Sequence, residues 1–243
     1  MQVVILAAGK GTRMGALSSD LPKPMIKVGT RNLIEHKLDL LPIMVTEIII
    51  VVGYKAEVIK DYFGSLYKGR TITYIDQHEP LGTGHALWKT KDHITGQFLV
   101  MMGDDIYTKE SIEAVLKYPF AMTVKRSPSF KKAGNVIANA DGTLNTIEFD
   151  REGTRAFVSM DTCLYSLSPE IFTYPLAQVH GRDEWGLPQT LVSMAHEIPI
   201  KVLETDFWIK INTPEEVILA NAALEEAEIA ARTREILTTT KTP

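Results

Sequence analysis

Residues 3–25 read VVILAAGKGTRMGALSSDLPKPM, and the start of this stretch decides the fold. Gln2–Leu6 is a short apolar run, rich in β-branched residues and ended by Ala7-Ala8-Gly9, as expected of a central strand buried on both faces of a parallel sheet. Runs of the same kind recur at 47–52 (EIIIVV), 71–75 and 98–102 (FLVMM), with helix-compatible stretches at 32–41, 56–63 and 84–93 between them. Strands alternating with helices predict βαβ units, and hence an α/β fold with a Rossmann-like open sheet whose ligands bind beyond the carboxyl ends of the strands. After Tyr118 the pattern turns β-rich, with expected strands at 121–125, 135–139, 146–149 and 156–166 and a hairpin turn at Asp141-Gly142. Pro214 suits the first turn of a long helix over 215–237, striped by Val217, Ala220, Leu224, Ala227 and Ala231. That stripe suits packing on the sheet or on a second subunit. The expected organisation is one domain over 1–243: an alternating strand-and-helix half (1–118), a β-rich elaboration (119–206) and a closing segment with the helix (207–243), in a mixed, mostly parallel sheet.

Composition narrows the function. A chain of 243 residues, 45% hydrophobic, can bury a sizeable core, and a net charge of −4 argues against a general polyanion binder, so nucleic acid is not an expected partner. Cys163 is the only cysteine, which fits a reducing compartment. No basic leader precedes the first strand and no apolar run approaches the ~20 residues that span a bilayer, so a cytoplasmic location without a membrane partner is expected.

Any affinity for phosphate must therefore be local, and residues 9–13 (GKGTR) directly follow the first strand. Small residues there let backbone N–H groups approach an anion, and a helix after them would add its positive end. A tight turn carrying surface charges is the plainer alternative. Two known phosphate loops are excluded: the sixth position counted from Gly9 is Met14, where a P-loop needs Gly and the dinucleotide fingerprint needs Gly or Ala. What remains is dense in cations, with Lys10, Arg13, Lys23 and Lys27 around the loop and Pro22 and Pro24 stiffening the approach to Lys23.

LAAGKGTRM followed by LPKPM resembles the signature of the sugar-nucleotide pyrophosphorylases, close to LAAGxGTRL then PKPM. The resemblance implies that Leu6, Ala8, Gly9, Gly11 and Thr12 hold a nucleoside triphosphate, and that Arg13 and Lys23 stabilise charge on its phosphates during transfer to a sugar 1-phosphate. Residues 77–86, QHEPLGTGHA, are similar to the base-recognition segment of the uridylyltransferases, which makes Gln77, Gly82 and Thr83 nucleotide contacts and favours UTP or dTTP, because cytosine lacks the N3–H that a glutamine oxygen accepts. The alternative there is a helix capped around Thr83 with His85 merely packed in its first turn.

By the same resemblance Asp104, in Gly103-Asp104-Asp105, is a Mg²⁺ ligand, while Asp105 suits a solvated helix start. Many relatives supply a second ligand as the aspartate of WxDxGTPED, but here the segment is WIKINTP, with Lys210 in that place and Asn212 two residues on. Asn212 is then either the second ligand or an N-cap for the helix at Pro214. On the sugar side the resemblance points to Gly134, Glu148, Asp161 and Thr162. The lysine that often follows the glutamate is missing, a charge Lys210 can supply. Glu184, in DEWGLPQTL, matches an acidic segment of structural role. A cytidylyltransferase acting on another phosphorylated alcohol and a nonenzymatic nucleotide-binding relative are the competing readings. The absence of a hexapeptide repeat predicts that the acetyltransferase activity of bifunctional relatives is missing.

Overall fold

A computed structural model describes the backbone of residues 1–131 and 133–239, with side chains for all of these except Ala16 and 227–239. The chain opens with β1 (Gln2–Leu6), a two-stranded ribbon β2 (Lys27–Val28) and β3 (Arg31–Asn32), and α1 (Leu33–Leu38). Asn32 starts α1 with a capping box: its side chain accepts from the Glu35 N–H, and the Glu35 carboxylate accepts from the Asn32 N–H. There follow β4 (Glu47–Val52), α2 (Ala56–Phe63), β5 (Leu66–Tyr67), β6 (Arg70–Asp76), α3 (Gly82–Trp88), β7 (Phe98–Met102), β8 (Asp105–Ile106) and α4 (Lys109–Val115). The second half carries β9 (Ala121–Pro128), β10 (Ala133–Ala138), β11 (Leu144–Asp150), β12 (Phe157–Leu167), α5 (Leu187–Met194), β13 (Lys201–Glu204), β14 (Ile209–Lys210) and α6 (Pro214–Thr239).

Eight strands form one sheet in the order β13-β9-β12-β7-β1-β4-β6-β5. Neighbours pair parallel except at β7–β12, β12–β9 and β5–β6, so only β12 and β5 run against the rest. This is the mixed, mostly parallel sheet the sequence predicts. The predicted hairpin turn holds too, with β10 and β11 pairing antiparallel on either side of Asp141-Gly142. Both faces of the sheet are covered: Val3, Ile5, Ile48 and Ile50 face one core with Ile34, Leu38 and Ile59, while Val4, Leu6, Ile49 and Val51 face another with Leu87, Leu187 and Leu191. Residues alternate between the two cores, which is why the strands read as continuous apolar runs. The predicted helix at 32–41 closes early, at Leu38, and that at 84–93 divides into α3 and a single turn at Lys91–His93.

At the amino end of α6, Val217, Ala220 and Leu224 pack with Met14, Val28 and Ile211, so this part of the stripe docks within the chain. Ala227 and Ala231 lie outside the described side chains. Among the described residues no helix is long and apolar enough to cross a membrane.

From β1 the chain winds outward through β4 and β6 and then returns to the other side of β1 as β7. The reversal leaves a crevice beyond the carboxyl ends of β1 and β7, where an open sheet of this kind binds its ligand.

Candidate active site

Two turns meet in that crevice. Gly11 has φ +62, and a Cβ there would lie 2.8 Å from Lys23 Cβ, so glycine is what allows the lysine stem to lie against the loop. Gly103 donates its N–H to the Leu6 carbonyl at 2.8 Å, and a Cβ on it would press on Leu6 O at 3.0 Å. The turn after β7 is thus closed tightly on the end of β1. No regular helix follows the loop: Thr12–Ser18 forms 3₁₀ turns broken at Gly15 (φ 53, ψ −128). With no regular helix end behind it, an anion at the loop would have to be held by the loop's own N–H groups and by neighbouring cations.

Those cations converge on two oxygens. Lys23 Nζ bonds Asp104 Oδ2 directly and donates to Asn212 Oδ1 at 3.0 Å, and Arg13 Nη2 donates to the same Asn212 oxygen at 2.9 Å. The helix cap is a separate residue: Glu216 N–H donates to Thr213 Oγ1 at 3.4 Å, while the Glu216 carboxylate takes the Thr213 and Asn212 N–H groups. This is a capping box on Thr213, and it leaves the Asn212 amide free to face the crevice. Asp104 and Asn212 present hard oxygens that already share one cationic partner in Lys23, a donor set that fits Mg²⁺. Among the described residues no trio of His, Cys, Asp and Glu gathers for a metal, so an ion held by Asp104 and Asn212 would need phosphate or water oxygens to complete its shell. The cavity here is about 200 Å³, lined among others by Gly9, Gly11, Thr12, Arg13, Lys23 and Asp104.

Asp105 departs from its expected role. It is 2% exposed, lies in β8 paired with Lys210 of β14, and the helix after it begins only at Lys109, capped by Thr108. Burial pushes its carboxyl up, and the neighbouring Asp104 charge adds to this; Lys210 and Lys37 pull it back. Below it, Lys37 is 0% exposed and donates to the carbonyls of Leu33 at 2.7 Å and Gly103 at 3.1 Å. Burial lowers the Lys37 ammonium. The Gly103 peptide is therefore held at both ends, its N–H by Leu6 and its carbonyl by Lys37, which fixes the backbone just before Asp104.

A second cavity of about 190 Å³ shares Leu6, Gly9 and Met102 with the first and adds Ala8, Gln77, Gly82 and Thr83. Gly82 has φ +96, and a Cβ there would sit 2.4 Å from the Trp185 carbonyl, while Gly84 N–H donates to that carbonyl at 2.8 Å. These glycines let α3 lie against the 177–186 segment. Thr83 does not cap α3, whose start at Leu81 has no side-chain cap; its Oγ1 instead accepts the Leu187 N–H at 3.1 Å, at the start of α5. His85 is more than packed filling, because its Nδ1 lies 3.0 Å from Gln77 Nε2.

The expected sugar residues are more dispersed, and none of them lines either cavity. Gly134 and Glu148 sit on the β10–β11 hairpin, with Glu148 ion-paired to Arg155. Thr162 differs from expectation: its side chain is fully buried and donates its hydroxyl to the Thr123 carbonyl at 3.1 Å, so that hydroxyl serves the core. The cause is a register break in β12, where Cys163 takes φ 58. Asp161 stitches this break, accepting the Cys163 N–H on Oδ1 at 2.8 Å and the Tyr165 hydroxyl on Oδ2. Lys210 stands between, its charge acting on both Asp105 and Asp161.

Burial raises the Asp161 carboxyl to about 6, against the opposing pull of Tyr165, Cys163 and Lys210. The folded state then binds the proton more tightly than the unfolded one. The carboxyl's contribution to stability is complete at low pH and is lost as pH rises from its ordinary 3.8 through about 6. Asp161→Asn keeps the Cys163 bond at Oδ1 and removes the buried charge, while its Nδ2 meets the Tyr165 hydroxyl as a donor in place of the acceptor oxygen. Its Tm relative to the parent should rise between pH 4.5 and pH 8 in a thermal-shift series, and a constant difference would reject this account.

Comparison with known proteins identifies the family. The family model "Nucleotidyl transferase" matches residues 2–125. UTP–glucose-1-phosphate uridylyltransferase AglF of Haloferax volcanii is 30% identical over 237 residues, covering 93% of this chain and 97% of that protein. The chain belongs to the nucleotidyl transferase family. It spans about half of another relative, the bifunctional protein GlmU of Methanocaldococcus jannaschii: 28% identity covers 92% of this chain and 54% of that one. In structure this nucleotidyl transferase resembles HddC from Yersinia pseudotuberculosis complexed with GMP-PN, with TM-score 0.67 and 25% identity over 92% of this chain and 99% of that one.

Several residues of this nucleotidyl transferase escape sequence reasoning. Lys37 follows Leu33 and Ile34 on the apolar face of α1, and a lysine on a core-facing stripe was the available signal. The Thr213-x-x-Glu216 spacing likewise marks the capping residue. Glu184, assigned a structural role, lines the Gln77 cavity; nothing in its sequence context announces that.

Proposed function

We propose that the protein transfers a nucleoside monophosphate from UTP or dTTP to a sugar 1-phosphate, releasing pyrophosphate, with Mg²⁺ held by Asp104 and Asn212. The observation that carries this reading is the junction of the two cavities through Leu6, Gly9 and Met102, which gives one nucleotide room to lie with its base by Gln77 and its phosphates over residues 9–12. Gln77 donates Nε2 to the Gly82 carbonyl at 3.2 Å, leaving its oxygen as the group to meet a base. An acceptor there matches the N3–H of uracil or thymine and opposes the lone pair on cytosine N3. AglF, a UTP-dependent enzyme by name, supports the same choice.

In the reaction an oxygen of the sugar phosphate forms a bond to the α-phosphorus while the bond to the β-phosphate bridging oxygen breaks and pyrophosphate leaves. No protein nucleophile is needed, since such transfers depend on alignment and on cations where charge accumulates. Loop N–H groups orient the triphosphate, and Arg13 and Lys23 exchange their contacts with Asn212 and Asp104 for phosphate oxygens. Bound Mg²⁺ supplies charge neutralisation and Lewis-acid polarisation of the phosphates. Lys210, beside Asp105 and Asp161, provides positive charge for the incoming sugar phosphate, so Lys210→Ala should raise the KM for sugar 1-phosphate about tenfold with little change in that for the triphosphate. An unchanged value rejects that role.

The decisive experiment is pyrophosphate release across UTP, dTTP, CTP, GTP and ATP paired with several sugar 1-phosphates, with Mg²⁺ present or chelated. Release with UTP or dTTP that stops on chelation is expected. GTP-only turnover would overturn the base assignment, and no release with any pair would overturn the catalytic reading.

A further inference from the structure

We infer that His85 is a positioning residue that sets base selectivity by fixing which end of the Gln77 amide meets the nucleotide. The inference rests on the reading of Gln77 as the base reader. Gln77 Nε2 carries two hydrogens and has two neighbours that accept them: the Gly82 carbonyl at 3.2 Å and His85 Nδ1 at 3.0 Å. Its Oε1 has no hydrogen-bond partner among the described residues, and it is not among their sealed, unpartnered polar atoms. Gln77 lines two adjoining cavities that share Ala8 and Pro80, and the oxygen is the amide atom it has left to offer a ligand there.

Turning the amide over would set that oxygen against the Gly82 carbonyl and the imidazole lone pair, two repulsions in place of two bonds. The lock holds while His85 accepts at Nδ1, which a neutral ring with its proton on Nε2 does. The surroundings favour the neutral ring: burial lowers the imidazole pKa, Lys89 acts in the same sense, and only Glu79 opposes them. The backbone places the ring, because Gly82 and Gly84 tie the first turn of α3 to Trp185. An outward oxygen pairs with an imide N3–H. An outward amide nitrogen would pair with cytosine N3 instead. His85 thus converts a side chain able to read either pyrimidine into one that reads a single hydrogen-bonding pattern.

The test is the ratio of kcat/KM for UTP to that for CTP in the parent, Gln77→Ala, His85→Leu and His85→Asn. His85→Leu removes the acceptor and should lower the ratio about tenfold, the value of one hydrogen bond. His85→Asn carries an oxygen close to the place of Nδ1 and should restore most of the ratio. If His85→Leu does not fold, His85→Met gives the same readout. A ratio unmoved in Gln77→Ala would overturn the reading of Gln77 and this inference with it. A ratio that collapses in Gln77→Ala but persists in His85→Leu or His85→Met would overturn the inference alone.

Discussion

Replacing Lys23 with methionine should lower kcat by roughly 10²–10³-fold, the scale seen when a single preorganised charge-stabilising group is removed, and should tighten binding of a free divalent cation. The two effects have one cause. Lys23 Nζ bonds both Asp104 Oδ2 and Asn212 Oδ1, the two oxygens proposed for Mg²⁺, so ammonium and metal claim the same donors. A unit charge about 4 Å away in a partly buried site opposes a second cation by a few kcal/mol at an effective dielectric near 20, enough for at least a tenfold change in metal affinity. Methionine keeps most of the stem that packs against Gly11, which limits the structural cost. Mn²⁺ titration of the nucleotide-free protein, followed by EPR, measures the second effect independently of turnover. Weaker Mn²⁺ binding in Lys23→Met would show that the lysine supports the metal ligands and does not compete with the ion.

This competition was only half legible in the sequence. The loop announced itself because close approach demands glycine at Gly11, and because a strand buried on both faces leaves an uninterrupted apolar run. The α/β order was readable for the same reason: each strand's residues alternate between two cores, and no polar face interrupts them. Long-range pairings were not readable. That Lys23 meets Asp104 and Asn212, 81 and 189 positions away, depends on the β1–β7 reversal and on the return of the chain along β14. That the Thr162 hydroxyl turns into the core was not readable either, because the break at Cys163, a left-handed cysteine, has no signal in composition. Asp105 was misread because an Asp-Asp pair looks solvated until β14 covers it, placing Lys210 opposite and Trp208 nearby.

Asp104→Asn should be as damaging to turnover as the loss of Lys23, again roughly 10²–10³-fold, but with the opposite effect on metal. The substitution keeps the shape and one oxygen while removing the only charged donor of the proposed pair, so Mn²⁺ binding should weaken and the Mg²⁺ concentration for half-maximal rate should rise. Its size relative to Asn212→Ala is informative, because Asn212 contributes a neutral amide oxygen and also anchors Arg13 and Lys23. Asn212→Ala should raise the Mg²⁺ requirement by a smaller factor and leave Tm nearly unchanged. Thr213→Ala, by contrast, removes the cap of α6 and should cost about 1 kcal/mol of stability with no change in Mg²⁺ requirement. The adjacent pair thus separates a ligand from a cap. If Asn212→Ala lowers Tm as Thr213→Ala does while the Mg²⁺ dependence of the rate stays that of the parent, Asn212 belongs to the helix start, and the metal must be held by Asp104 with phosphate and water alone.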